Sequence, residues 1–497
     1  MFMGTGSGVG KSFLSAAFCR ILKRKGYRVA PFKAQNMALN SFVTVEGGEI
    51  GRAQALQAEA AGVEPSVYMN PVLLKASGEK GSQVILLGKV HSTMTAMDYY
   101  SFRDRAWEAV VEGWSRLKGR YDVVVIEGAG SPAEINLMDK EIVNMAVAKL
   151  TDASVILIGD IDRGGVFASL YGTVKLLEDD ARYIKGFIIN KFRGDVEILK
   201  PGNRLIEQKT GIPVLGVLPY LSRTGLPEED GLSLNYGFNG RIQKEEIKIT
   251  VLRLPYISNF TDFDPFLFEP GVSLIYSLRA EDILNSDMVI IPGTKNTTKD
   301  LIYLKEHGID RVIRDAISKG VSVIGICGGY QMMGSVIKDP VLVEGTEEEV
   351  RGLGILETET LFEEPKITSQ VRAVVKDRAF PFDVDAQELR GYEIHMGRST
   401  GKIGLFQIRR IPSDEILDDG AKSGICWGTY LHGIFDNDRF RWALINHLRE
   451  KRGLKPAENL IEYQRYRNTA IDRFADTVME YVDVDYILGL LETNSDR

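Results

Sequence analysis

Short apolar runs punctuate the front of the chain at 1–3, 27–32, Val123–Ile126, 155–158, 187–189 and 214–217, with helical patterns between them. Over 13–25, Phe13, Ala17, Phe18, Ile21 and Leu22 recur at helical spacing. Basic residues gather near the end and Gly26 stops the pattern, so an amphipathic helix is expected. Such alternation predicts a doubly wound, mostly parallel sheet whose ligands sit at the carboxyl ends of its strands. Residues 223–246, rich in Gly, Pro, acids and Asn without periodicity, read as a linker. The pattern restarts at 247–254, Met288–Ile291 and 321–326. From Phe440 the chain is charged and helical, closing on an amphipathic 481–491. The reading is α/β with two domains, 1–222 and 247–440, a linker 223–246 and a helical extension 441–497.

Between the first run and the first helix lies Gly4-Thr5-Gly6-Ser7-Gly8-Val9-Gly10-Lys11-Ser12. The glycines let the backbone curl with N–H groups inward, Lys11 supplies charge for β- and γ-phosphates, and the Ser12 hydroxyl suits Mg²⁺. Thr5 stands where the usual pattern has its first glycine, and counted from Gly4 the loop is one residue longer. It is a variant ATP cradle of the kind associated with ligases that activate carboxylates.

Strand ends supply the other candidates. Lys33 is placed to steady a transferring phosphoryl group, against a solvated lysine. Glu127 is placed to hold Mg²⁺, against a structural acid in a turn. Asp160 and Asp162 bind metal, orient substrate or cap a helix. Asn190 reads the adenine edge or serves as a turn asparagine.

A second informative stretch is Val321-Ser322-Val323-Ile324-Gly325-Ile326-Cys327-Gly328-Gly329-Tyr330-Gln331-Met332-Met333-Gly334. Gly325 and Gly329 permit a sharp strand-to-helix bend that presents one thiol, a nucleophile elbow. At a helix N-terminus Cys327 is expected to react as thiolate, with the Gly328 N–H in an oxyanion hole. His432 is the best general base and His395 the runner-up. His91, His307 and His447 read as structural, and Cys19 and Cys426 as small buried hydrophobes.

Composition narrows the field. A 497-residue chain exceeds what one core serves, consistent with two domains. A net charge of -7 argues against nucleic acid or a membrane surface as the main partner. The three cysteines form no metal clip or disulfide framework, and a reducing cytoplasm is the simplest home. No apolar run approaches the roughly 20 residues of a bilayer span, and the first residues lack the signal-peptide pattern of basic residues followed by an apolar block. A buried parallel strand usually runs about five or six residues. Only Met1-Phe2-Met3 precede the loop, so the natural start is expected to lie upstream.

Both stretches belong to a longer set of blocks. In the first domain these are Pro31 to Met37 with Asn40-Ser41, Glu49 to Gln57, Met69 to Lys75, Glu127 to Asn136 and Asp160 to Gly165. In the second they are Pro292 to Thr297, the cysteine elbow, Gly391 to Arg398 and Tyr430 to Gly433. Over nearly its whole length the chain resembles the cobyric acid synthase family, glutamine-dependent amidotransferases of cobalamin biosynthesis. That resemblance implies a dethiobiotin-synthetase-like ATP domain joined to a class I glutaminase domain. It implies Cys327 as nucleophile, His432 as its base, and Gly293, Gly328 and Gln331 around the oxyanion and glutamine. ATP, Mg²⁺, glutamine and a corrinoid are the expected ligands, with Asp160 and Asp162 as corrinoid-side candidates. The family amidates the b, d, e and g carboxylates of adenosylcobyrinic acid a,c-diamide. Rivals are the synthase that makes the a,c-diamide itself and a P-loop ATPase switch; Gln35-Asn36-Met37 and Asp160 to Gly165 favour the later enzyme. Two departures stand out. Class I glutaminases carry an acid two residues after the histidine, where this chain has Ile434, leaving the third member open. The helix around Arg52 to Gln57 also lacks the acid that related ligases have there.

Overall fold

The structure, a computed structural model, describes residues 1–76, 81–221, 224–227, 246–344, 347–377, 380–384 and 388–495. The chain divides into two compact units, one of Met1–Ala38, Ile50–Pro227 and Arg467–Arg497, the other of Leu39–Glu49 and Glu228–Tyr466.

The first unit is built on parallel strands. Phe2–Gly4 pairs with Val155–Asp160, which continues to Ile184–Phe192 and Val214–Pro219. Val29–Phe32 and Val123–Ile126 form a parallel pair that meets the first strand through a Phe2–Glu127 bridge. The runs are continuously apolar because both faces are covered. On one face Phe2, Ile156, Ile158 and Ile188 pack under Leu14 and Phe18 of helix Lys11–Arg24. On the other, Met3, Leu157, Phe187 and Ile189 meet Val166 and Leu170 of helix Val166–Leu176. A four-stranded mixed sheet, Gln35–Met37, Val72–Ala76, Ser82–Leu86 and Lys89–Met94, lies outside the expected alternation.

The segment expected as one extension, 441–497, is divided. Helix Asp438–Lys451 gives Phe440, Leu444 and Leu448 to the second unit's core. From Arg467 the chain returns to the first unit. There Phe474, Ala475 and Val478 join the cluster around Phe18, and Arg24 pairs with Asp472 at 2.7 Å and Asp476 at 2.6 Å. The expected linker 223–246 lies, except for 224–227 and 246, outside the described residues.

In the second unit Val272–Ser277, Ile247–Leu252, Met288–Ile291, Ser322–Ile326 and Cys426–Thr429 run parallel in that order, edged by antiparallel Ala421–Ser423. A second sheet is built on the long antiparallel pair Thr358–Val375 and Leu389–Gly401. Among the described residues no helix is long and apolar enough to cross a membrane.

Candidate functional site

The first unit gathers its candidates at the carboxyl ends of its strands. Gly10 takes φ +105°, and Asn190 fits beneath it only because Gly10 has no Cβ, which would stand 2.3 Å from the Asn190 amide nitrogen. Asn190 is engaged in bracing the loop: its Nδ2 donates to Val9 O at 2.8 Å and its Oδ1 accepts from Lys191 N. The Lys11 ammonium donates to Gly6 O at 2.8 Å and Gly130 O at 3.1 Å.

Glu127 is the hub. Its Oε1 accepts from Ser12 Oγ and Lys33 Nζ, both at 2.8 Å, and its Oε2 from Gln57 Nε2 at 2.5 Å. Gln54 Nε2 stands 3.5 Å from the same oxygen. Burial pushes the carboxyl up, but the Lys33 ammonium and the hydrogen bonds from Lys33, Gln57 and Ser12 outweigh it and hold Glu127 below the usual carboxylate range. Helix Arg52–Ala61 thus brings amides where an acid was looked for. Lys33 is buried against Glu127, not solvated.

Asp160 and Asp162 do not cap a helix. The next helix starts at Gly165 without a side-chain cap. Asp160 instead binds Lys191 at 2.8 Å, and Lys191 also donates to Gly8 O at 2.7 Å. Asp162 pairs with Arg193 at 2.9 Å. No cluster of three or more His, Cys, Asp or Glu suited to a metal occurs among the described residues.

In the second unit the sharp strand-to-helix bend is present, but the thiol it was expected to expose is buried, its Sγ donating to Ile394 O at 3.6 Å, because the strands and loops packed around it close over the turn. Cys327 takes φ +52° between strand Ser322–Ile326 and helix Gly328–Met333. A Cβ on Gly329 would stand 1.9 Å from Ile291 O, so no larger residue fits there. His432 follows the neighbouring strand, Cys426–Thr429. Gly293, after Met288–Ile291, lies against both: a Cβ on it would be 3.1 Å from His432 Cε1 and 3.8 Å from Cys327 Cβ. Gln331 is held by Thr297 Oγ1 at 3.3 Å and donates to Tyr430 OH at 3.1 Å.

Beside His432 stands Asp262, in the 3-10 helix Phe260–Phe268 that follows strand Ile247–Leu252. His432 Nδ1–H donates to Asp262 Oδ2 at 2.6 Å, and Gly433 N–H to Oδ1 at 3.3 Å. Burial disfavours the imidazolium, yet the Asp262 carboxylate, then the Cys327 sulfur, raise His432 to about 10. Nε2 is buried without a hydrogen bond, while Cys327 Sγ donates to Ile394 O at 3.6 Å. His395 is occupied elsewhere, Nδ1 on Gly397 O at 2.7 Å and Nε2 on Glu393 at 3.2 Å. Asp262 escaped the sequence reading because it stands 170 positions before His432; its one signal was an acid after a strand of the same sheet.

Comparison with known proteins agrees in both halves. The family model described as CobQ/CobB/MinD/ParA nucleotide binding domain matches residues 1–234, and that described as CobB/CobQ-like glutamine amidotransferase domain matches 248–440. The chain is 50% identical over 488 residues to a cobyric acid synthase of Thermodesulfovibrio yellowstonii, covering 98% of each. It is 48% identical to those of a Thermoanaerobacter species and of Caldanaerobacter subterraneus, covering 100% of this chain and 99% of each of theirs.

Proposed function

The chain belongs to the cobyric acid synthase family, glutamine amidotransferases with a nucleotide-binding domain, and from that premise we propose how its two sites divide the work. The Cys327 thiolate attacks the glutamine amide carbon while N–H groups at Gly328 and Gly293 receive the oxyanion. His432, protonated and oriented by Asp262, gives its proton to the departing ammonia. Water then releases glutamate from the thioester. The observation that carries this reading is the buried Asp262–His432 contact at 2.6 Å, with Nε2 making no hydrogen bond.

In the first unit the glycine loop with Lys11 receives the ATP phosphates, and a corrinoid carboxylate takes the γ-phosphoryl group. Ammonia displaces phosphate from the acyl phosphate, leaving an amide. The donor set suits Mg²⁺, which is commonly held by one or two carboxylates plus phosphate oxygens. Glu127 and Ser12, hard oxygen donors 2.8 Å apart, would hold it, and it would supply charge neutralisation on the phosphates. Lys33 lies on the same carboxylate, ready to meet the charge on the transferred group. Asp160 and Asp162 stay as corrinoid-side candidates and Asn190 as the adenine contact.

The substrate is adenosylcobyrinic acid a,c-diamide and the product adenosylcobyric acid, made in the cytoplasm. Mass spectrometry of the a,c-diamide with ATP, Mg²⁺ and glutamine is expected to show four successive replacements of OH by NH₂. Turnover only of the substrate lacking the a and c amides would instead assign the earlier synthase.

A further inference from the structure

Residues Leu39–Glu49 come early in the chain, yet they are part of the second unit. This arm grips the start of the 3-10 helix Phe260–Phe268, which presents Asp262. Asn40 Oδ1 accepts from Phe260 N at 3.2 Å, and Ser41 N donates to Asn259 Oδ1 at 3.0 Å. Asn259 takes φ +53°, a backbone state that a non-glycine residue keeps only with support from its surroundings. Ser41 O accepts from Tyr392 OH at 3.4 Å, and the same hydroxyl is 3.4 Å from Asp262 Oδ1. The Tyr392 ring lies stacked on His432 with centroids 5.1 Å apart, and the two backbones exchange N–H···O bonds of 3.1 and 2.9 Å. Asn40, Ser41, Asn259 and Tyr392 are all buried. Farther along, Thr368 Oγ1 donates to Gly47 O at 2.7 Å and Lys366 pairs with Glu49 at 2.6 Å.

Both ends of the arm continue into residues wired to Glu127. Before it, Lys33 pairs with Glu127, and Asn36 donates to Gln54 at 2.9 Å. After it, Gly51 N donates to Asn70 Oδ1 at 2.9 Å, while Asn70 Nδ2 returns to Lys33 O at 3.1 Å. Phosphates or a cation arriving at Glu127 and Lys33 must redistribute these bonds. The chain carries any resulting shift directly into the arm.

We propose that Leu39–Glu49 is a positioning arm: it sets the Asp262–His432 geometry and couples glutamine hydrolysis to occupancy of the nucleotide site. This rests on the amidotransferase reading above. Its chemical sense is economy, because ammonia released with no activated carboxylate waiting is lost.

The test uses the full chain and follows glutamate release, with and without a non-hydrolysable ATP analogue, Mg²⁺ and the a,c-diamide. The wild-type rate is expected to rise at least about fivefold when these are present, the lower end of ordinary coupling. In Asn40→Ala the stimulation is expected to fall below about twofold, while amide formation driven by ammonium chloride and ATP keeps its wild-type rate. Should Asn40→Ala not fold, Tyr392→Phe keeps the ring on His432, loses the hydroxyl link to Ser41, and is expected to lose stimulation likewise. An unstimulated wild type, or variants stimulated as fully as wild type, would overturn the coupling without touching the amidotransferase reading. That reading fails separately, if the wild type makes no amide from ammonium.

Discussion

The two sites hold their charges in opposite ways. Beside Cys327 the acid and the imidazole already hold each other: Asp262 grips His432, whose second nitrogen makes no hydrogen bond. Around the glycine loop the cations rest on protein oxygens, Lys11 on two carbonyls and Lys33 on Glu127. The substrates explain the difference. The amide of glutamine is neutral, so the protein must bring a complete ion pair to it. ATP is a polyanion, so its site keeps positive charge in reserve and satisfies it internally, since a buried ammonium without a partner costs several kcal/mol. One site has its acid and imidazole joined beforehand; the other has its cations on protein oxygens.

The strongest way to break this contrast is Cys327→Ala. Glutamine-driven amide formation is expected to drop at least about 10⁴-fold, with ammonium-driven formation intact in the same assay. Equal loss of both would mean the sites are not chemically separate, whereas retained glutamine use would dismiss the elbow. Lys11→Ala is expected to lower both routes about 10³-fold, measured as phosphate release coupled to amide formation.

Asp262→Asn sharpens the comparison. Glutaminase kcat is expected to fall about 10²-fold with KM nearly unchanged. The alkaline limb of its pH profile, set near pH 10 by His432, should move to lower pH as the carboxylate's pull disappears. The same change alters stability. His432 binds its proton more tightly in the folded chain, so its contribution is complete below an ordinary pKa of 6.5 and fades as pH rises through about 10. Thermal melts of wild type and Asp262→Asn should therefore differ most below pH 6.5 and converge above pH 10.

The smallest effect expected is on folding at the nucleotide site. Glu127→Gln removes the carboxylate that pairs with the buried Lys33 ammonium at 2.8 Å and should cost about 2 kcal/mol, read by denaturant titration. Adding Lys33→Met should restore most of it; a double variant as unstable as the single one would deny that the charge is held in reserve.

The glycine loop and the cysteine elbow were legible because each is one contiguous stretch in which the backbone bend and the reactive group share neighbouring residues. Alternation of apolar runs likewise foretold parallel sheets, since burial on both faces imposes that pattern locally. Asp262 was hidden because its role exists only where Ile247–Leu252 and Cys426–Thr429 are strands of the same sheet. The destinations of Leu39–Glu49 and of the chain after Arg467 were equally hidden. An amphipathic pattern states that a face is buried, not what buries it. The sequence by itself thus determined which chemistries are present and where each begins. Tertiary structure alone decided which distant acid orients His432 and which segment braces that acid, because such partners are chosen by spatial proximity, which spacing along a chain does not encode.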